Sequence, residues 1–439
     1  MLHQLDVRGF DGDLRARLPR PAAAKEPPVA EVQALLARVR EGGDAALREM
    51  SERFDGVVVD ELAVPNEEVR AALDAIPAAL REALEVAYAN ILAYHQATVS
   101  DQVVHRRDGI TVADLRRPVD RVGLYVPSAL APLISTVLMT AVPARVAGVR
   151  QLVLCSPPGA DGRVDPGILA AAALAGVDEV YRIGGAHAIG AMAYGTETIA
   201  AVDVIVGPGS ARVAQAKREV AATGQVGVPS SFAGPSEVVV VADATTVAEW
   251  AAVDVVVQAE HGPDGLAWLV TWDEDVARAV TASVAELVAA SPRRAHIEST
   301  LAEGGYAVLC DGPEQAMAVA NVIAPEHLEL MTADPESLLP LVRNAGAVFC
   351  GPWAPASVGD YLAGPSHVLP TYGSARFSSA LRVDDFVKHV HVVTLDREGL
   401  ETAAPHVATL AEAEGLAAHA ESVRLRQQAA AGAASPAGR

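Results

Sequence analysis

Val122-Gly-Leu-Tyr-Val-Pro127, then the apolar run 131–149, then Gln151-Leu-Val-Leu-Cys155 decide how this chain folds. The two short apolar runs read as buried strands, and the run of helical length between them as a buried helix. The rhythm continues with helix 167–175, strand 180–183, helix 187–194, strand 202–206 and helix 211–222. Strands alternating with helices of this length predict βαβ units and a parallel sheet. After Pro229-Ser-Ser-Phe-Ala-Gly-Pro235 the same pattern restarts. Strands are expected at 238–241, 267–271, 306–310, 327–331 and 347–350, with helices at 246–261, 274–290, 313–322 and 335–344. The fold class is therefore α/β, with two Rossmann-like doubly wound parallel-sheet domains that resemble each other in architecture without a sequence repeat.

Outward from this centre the texture differs. Residues 1–24 read as an arm with a short strand. Two helices follow, 29–54, interrupted at Gly42-Gly43, and 66–99, opened by Pro65. An alternating strand covers 109–117. At the other end a strand at 390–395 leads into helical sequence at 400–426 and a tail rich in Ala, Gly, Ser and Pro, read as disordered. A long helix after a finished domain must bury its apolar face, and packing on a partner subunit would do so.

With 439 residues the chain exceeds one ordinary core. Its 51% hydrophobic and 20% charged content suits a well-buried globular enzyme. A net charge of −21 argues against nucleic acid, which needs a basic face, but not against a small cationic substrate. Cys155, Cys310 and Cys350 form no CxxC pair, so buried free thiols in a reducing cytoplasm are expected. No signal peptide is visible at the N-terminus. The longest apolar stretch carries Pro143 and Arg145 and reads as a buried helix, so no membrane span is expected.

Several polar residues are candidates for chemistry. In Gln258-Ala-Glu-His261-Gly-Pro263 the glycine and proline end a helix just past His261. Gln258 and His261 share its last turn, so an amide oxygen and an imidazole nitrogen are presented together; a solvated or capping pair is the plainer alternative. Glu326-His327 opens a strand of a parallel sheet, and ligands bind at strand ends of such sheets. Gly184-Gly-Ala-His-Ala-Ile-Gly190 and Gly207-Pro-Gly-Ser210 are strand-to-helix turns that place backbone N–H groups where an anion is favoured, or else simply tight turns. Asp360, Glu414 and His419 stand in polar segments whose ordinary role is surface.

Together these segments resemble the histidinol dehydrogenase family. The resemblance rests on Gly123-Leu-Tyr-Val-Pro127, Gly234-Pro-Ser-Glu237, Gln258 to Pro263, Ile323-Ala-Pro-Glu-His-Leu-Glu329, Gly359-Asp360, His367-Val-Leu-Pro-Thr371 and Glu414-Gly-Leu-Ala-Ala-His419, in one order over nearly the whole chain. It implies a cytoplasmic homodimer, dependent on zinc and NAD, that oxidises L-histidinol to L-histidine through the aldehyde. It further implies that Gln258, His261, Asp360 and His419 bind zinc, an O/N set that zinc accepts. His327 would be the base and Glu326 would activate the water that adds to the aldehyde. Ser236, His327 and Glu414 would touch the substrate along with the zinc ligands, and His367 would neighbour the site. Glu414 and His419 would complete the other subunit's site. Tyr125, His187 and Ser210 would face the cofactor.

The domains implied are an arm at 1–24, a substrate and zinc domain at 25–127 and 236–383, a nucleotide domain at 128–235 and a dimerisation tail at 384–439. The chain departs from the family in the nucleotide half. It reads Gly-Gly-Ala-His187 for the usual Gln, Gly-Pro-Gly-Ser210 for the usual Asn, Val-Pro-Ser128-Ala129 for Val-Pro-Gly-Gly, and Ser366 for an Asn. The rival reading is a zinc and NAD dehydrogenase of the same fold acting on another polar alcohol or diol, such as sulfopropanediol.

Overall fold

The structure, a computed structural model, describes residues 2–19, 28–128, 131–229, 237–259 and 265–433. Its strands in chain order are β1 (His3–Asp6), β2 (Val104–Arg107), β3 (Ile110–Pro118), β4 (Arg121–Tyr125), β5 (Gln151–Ser156), β6 (Glu179–Arg182) and β7 (Val204–Val206). They continue as β8 (Glu237–Ala242), β9 (Leu266–Thr271), β10 (Gly305–Leu309), β11 (His327–Met331), β12 (Ala347–Cys350) and β13 (Val387–Leu395). Two compact units result, one of Met1–Thr98 and Val119–Phe386, the other of Val99–Pro118 and Val387–Arg439.

The first unit holds two parallel sheets. In the four-stranded sheet the order is β6-β5-β4-β7, so the chain winds to one side of β4 and then returns to its other side. Side chains alternate between the faces, as the two-residue period of a strand demands. Val122, Leu124, Leu152 and Leu154 face helices Ile134–Ala147, Pro166–Leu174, Asn66–Ala75 and Ala78–Ala97. Val153, Cys155, Tyr181 and Ile205 face helices Val29–Asp55, Gly185–Tyr194 and Ala211–Ala222. Residues 29–97 thus take their packing partners from this sheet.

The six-stranded sheet has the order β1-β10-β9-β8-β11-β12, again parallel throughout, with its reversal of direction between β8 and β11. The arm's strand β1 is its edge. Val238 and Val240 face helices Ala248–Ala259, Glu274–Ala290 and Arg294–Gly304, while Val239, Val241 and Trp268 face helix Pro313–Ile323. Each side chain buried so fully contributes about 1.5–3 kcal/mol of transfer free energy. Strands buried on both faces explain the unbroken valine run at 238–241.

The second unit is an antiparallel sheet, β13-β3-β2, with helices Arg397–Ala413 and Ala417–Ala433, which pack on each other through Ala408, Ala411 and Ala420. It carries exposed Val390, Val393, Leu410 and Leu425.

Four local expectations change. The helix expected at 66–99 is two helices, because Pro77 cannot continue the first and caps the start of the second. The helix expected at 335–344 is a short 3₁₀ turn, Glu336–Leu341, with Pro340 inside it. The helical stretch expected at 400–426, bent at Gly415 with φ +73°, continues to Ala433 into the tail read as disordered. Helices Arg294–Gly304 and Ala356–Tyr361 had no place in the sequence reading. The kink expected at Gly42-Gly43 falls on Gly43, at φ +49°.

Candidate active site

His327 is the first residue of β11 and pairs in register with Val238 of β8, so Glu326, His327 and Glu237 meet at the amino edge of the six-stranded sheet. In a βαβ unit the helix runs back against the strands, so helix Ala248–Ala259 ends at this same edge and delivers Gln258. The short helix Ala356–Tyr361 delivers Asp360. Nucleotide-type ligands occupy the carboxyl edge of such sheets. This cluster sits at the opposite edge.

Its contacts centre on His327, which is buried. Nδ1 lies 3.3 Å from Gln258 Nε2 and 3.3 Å from the Glu237 carbonyl oxygen. Nε2 lies 3.3 Å from Asp360 Oδ1, and Glu326 Oε2 is 3.8 Å from Nδ1. Glu326 Oε2 also accepts the Glu237 N–H at 3.1 Å. The Asp360 backbone carbonyl lies 2.8 Å from His367 Nδ1, whose ring is held on its other side by Thr136 Oγ1 at 3.0 Å.

Burial pushes the Glu326 carboxyl up to about 7, while His327 and the Glu237 N–H hold it down. Burial opposes a charge on His327, yet the Glu326 and Asp360 carboxylates outweigh it and push the imidazole up to about 9. Burial also raises Glu237 to about 8. Two neighbouring groups, one near neutrality and the other above it, are suited to passing protons.

The structure brings together Gln258, Glu326, His327 and Asp360. His261 and Ser236 lie outside the described residues. Glu414 and His419 belong to the second unit, where Glu414 caps helix Arg397–Ala413 and His419 stands in the first turn of Ala417–Ala433, both exposed. Among the described residues no three His, Cys, Asp or Glu side chains gather tightly enough to hold a metal ion by themselves. The chemistry of the donors nevertheless fits one. Gln258 Oε1 is buried and receives no hydrogen bond. An amide oxygen left without a donor in the interior is costly unless a cation takes it.

At the carboxyl edge of the four-stranded sheet, Tyr125 ends β4 and the Gly207 turn follows β7, on the two sides of the reversal point. The Tyr125 hydroxyl accepts the Gly185 N–H at 3.0 Å. Gly207 has φ +111°, and a Cβ there would lie 2.1 Å from the Tyr125 carbonyl oxygen, so only glycine fits. The Lys217 ammonium donates to the Gly207 carbonyl from a fully buried position. Ser210 caps helix Ala211–Ala222, its hydroxyl accepting the Val213 N–H at 3.4 Å. His187 sits in the first turn of its helix, buried, with Nε2 receiving no partner and the ring stacked at 6.1 Å on Phe54. Burial holds it neutral, down to about 4.

The sequence reading missed three acidic residues here. Glu237 holds both Glu326 and His327 through its backbone, although it stood in a quoted segment. Asp254 stands one helical turn before Gln258, and Glu329 two strand residues after His327. Their spacings place them on the same faces as the site, a signal that was available.

The histidinol dehydrogenase family model matches residues 18–427. The histidinol dehydrogenase of Parasynechococcus marenigrum (strain WH8102) is 48% identical over 396 residues, covering 90% of this chain and 90% of that protein. That of Moorella thermoacetica is 46% identical over 408 residues, covering 92% and 96%. The crystal structure of histidinol dehydrogenase from Elizabethkingia anophelis superposes with a TM-score of 0.93 at 33% identity, covering 98% of each chain.

Proposed function

The chain belongs to the histidinol dehydrogenase family, and from that premise we infer that it oxidises L-histidinol to L-histidine through the aldehyde, the closing steps of histidine biosynthesis. The observation that carries this reading is the buried contact of Gln258, Glu326, His327 and Asp360 at one sheet edge. Gln258, His261, Asp360 and His419 would hold zinc, which binds and orients the substrate's imidazole and amino nitrogens. NAD⁺ would accept hydride twice, from a position at the Tyr125 and Gly207 turn.

His327 takes the hydroxyl proton as hydride leaves. At Nδ1 the Gln258 amide nitrogen can only donate and the Glu237 carbonyl can only accept, so these two contacts together select neither tautomer, while Nε2 faces the Asp360 carboxylate. The Glu326 and Asp360 carboxylates both stabilise the imidazolium; with Asp360 holding a cation its share would be lost, and His327 would act as base. Glu326, near neutrality, takes a proton from the water that adds to the aldehyde, so that the second hydride can depart. Exposed Glu414 offers a negative charge to a cationic amino alcohol.

A homodimer with shared sites follows from the same reading. The exposed apolar residues of the second unit suit a subunit contact, and Glu414 and His419 lie on that unit. No described helix is long and apolar enough to cross a membrane. A cytoplasmic site of action suits the three free thiols.

The test is NADH formation from L-histidinol by the purified protein, with two NADH per histidinol and loss of turnover under a chelator. Turnover of another diol with none of histidinol would transfer the site to the rival substrate.

A further inference from the structure

Behind the His327 cluster lies a second pair of acids that the mechanism does not use. Glu329 is buried on the same face of β11 as His327, and Asp254 is buried one turn before Gln258 on helix Ala248–Ala259. The two carboxyls are near enough to act on each other's charge. Glu329 Oε1 also accepts the Ala356 N–H at 3.1 Å. Ala356 opens the helix that carries Asp360, and the residue before it, Pro355, supplies no side-chain cap. Glu329 therefore caps that helix from the neighbouring strand, where an acidic group suits the first N–H groups.

We propose that Asp254 and Glu329 are positioning residues, a carboxylic acid–carboxylate pair that clamps the Gln258 helix and the Asp360 helix onto the strand of His327. Two carboxyl oxygens can hydrogen-bond only through a proton, and we assign one to this buried pair. Glu329 Oε2 is buried without a hydrogen-bond partner, and a proton shared with Asp254 would satisfy it. Burial and then the neighbouring Asp254 push Glu329 up to about 9, while burial raises Asp254 and Glu329 holds it down, consistent with a single proton shared at neutral pH. The clamp joins three separate elements, each bearing one group of the site. Neither a hydrophobic pair nor two bare carboxylates would do this, the first lacking an acceptor for Ala356 N–H and the second repelling.

The inference rests on Gln258 and Asp360 being zinc ligands. Zinc binding and histidinol turnover by the wild-type protein test that reading, and the variants test the clamp, so the two fail separately. For Glu329→Leu and the milder Asp254→Ala, zinc affinity measured by calorimetry on metal-free protein should fall 10- to 100-fold, the usual effect of losing a group that orients a ligand. Glu329→Gln should restore affinity to within about threefold, since its amide can donate to Asp254 and accept from Ala356 N–H. A lower melting temperature with zinc affinity and kcat at wild-type values would reduce the pair to ordinary structure and overturn the proposal. Should Glu329→Leu fail to fold, infrared difference spectra of wild type against Glu329→Gln and Asp254→Asn decide. A protonated-carboxyl carbonyl band lost or shifted in both supports the shared proton; its absence from the wild type overturns it.

Discussion

His187→Gln tests how the nucleotide half of this chain differs from the family pattern. His187 is buried neutral, its imidazole held down to about 4 from an ordinary 6.5, and Nε2 has no partner to stabilise a charge. The folded-state value is the lower one, so stability is fully present above pH 6.5 and is lost as pH falls through the window from 6.5 to about 4. There the unfolded chain binds a proton that the folded chain refuses. From pH 6.5 to pH 5 the gap spans about 1.5 units, which at about 1.4 kcal/mol per unit is about 2 kcal/mol. A glutamine has no proton to bind and removes this contribution whatever else it does to packing. Urea unfolding followed by circular dichroism at pH 7 and pH 5 measures it, comparing the pH-induced loss of unfolding free energy in the two proteins so that contributions common to both cancel. The loss should be about 2 kcal/mol smaller in His187→Gln. An equal loss in both would mean that His187 is charged or solvated in the folded protein, and the reasoning about its burial would fall.

Other outcomes follow from the geometry. His327→Ala should keep zinc by elemental analysis while kcat drops at least 100-fold, the usual contribution of a positioned base; full activity would remove that role. Gln258→Leu, which deletes the unpartnered amide oxygen, should release zinc to a chelator at least tenfold more readily, and unchanged release would dismiss Gln258 as a ligand. Gly207→Ala should raise the NAD⁺ KM at least tenfold with histidinol KM unchanged, because its Cβ collides with the Tyr125 carbonyl; a normal NAD⁺ KM would place the cofactor elsewhere. Ser210→Ala should lower unfolding free energy by about 1 kcal/mol, the usual value of an N-cap, in the same urea assay.

Periodicity and punctuation in the sequence determined the parallel α/β class and most elements, because strands buried on both faces must be continuous apolar runs and proline and glycine end helices locally. The resemblance singled out Gln258, Glu326, His327 and Asp360 by residue type and order. Local pattern carries no record of which distant element a side chain will meet. Only the folded chain placed the arm strand β1 at the edge of a sheet made mostly of residues 237–350, and laid helices 29–97 on the four-stranded sheet. It alone set the cluster at the amino edge, where returning helices end. The pairing of Asp254 with Glu329 was equally out of reach of spacing, which gives each residue's face but not the face opposite. Those choices come from packing between elements far apart in the chain, where burial of whole faces and the pairing of buried polar groups outweigh any local preference.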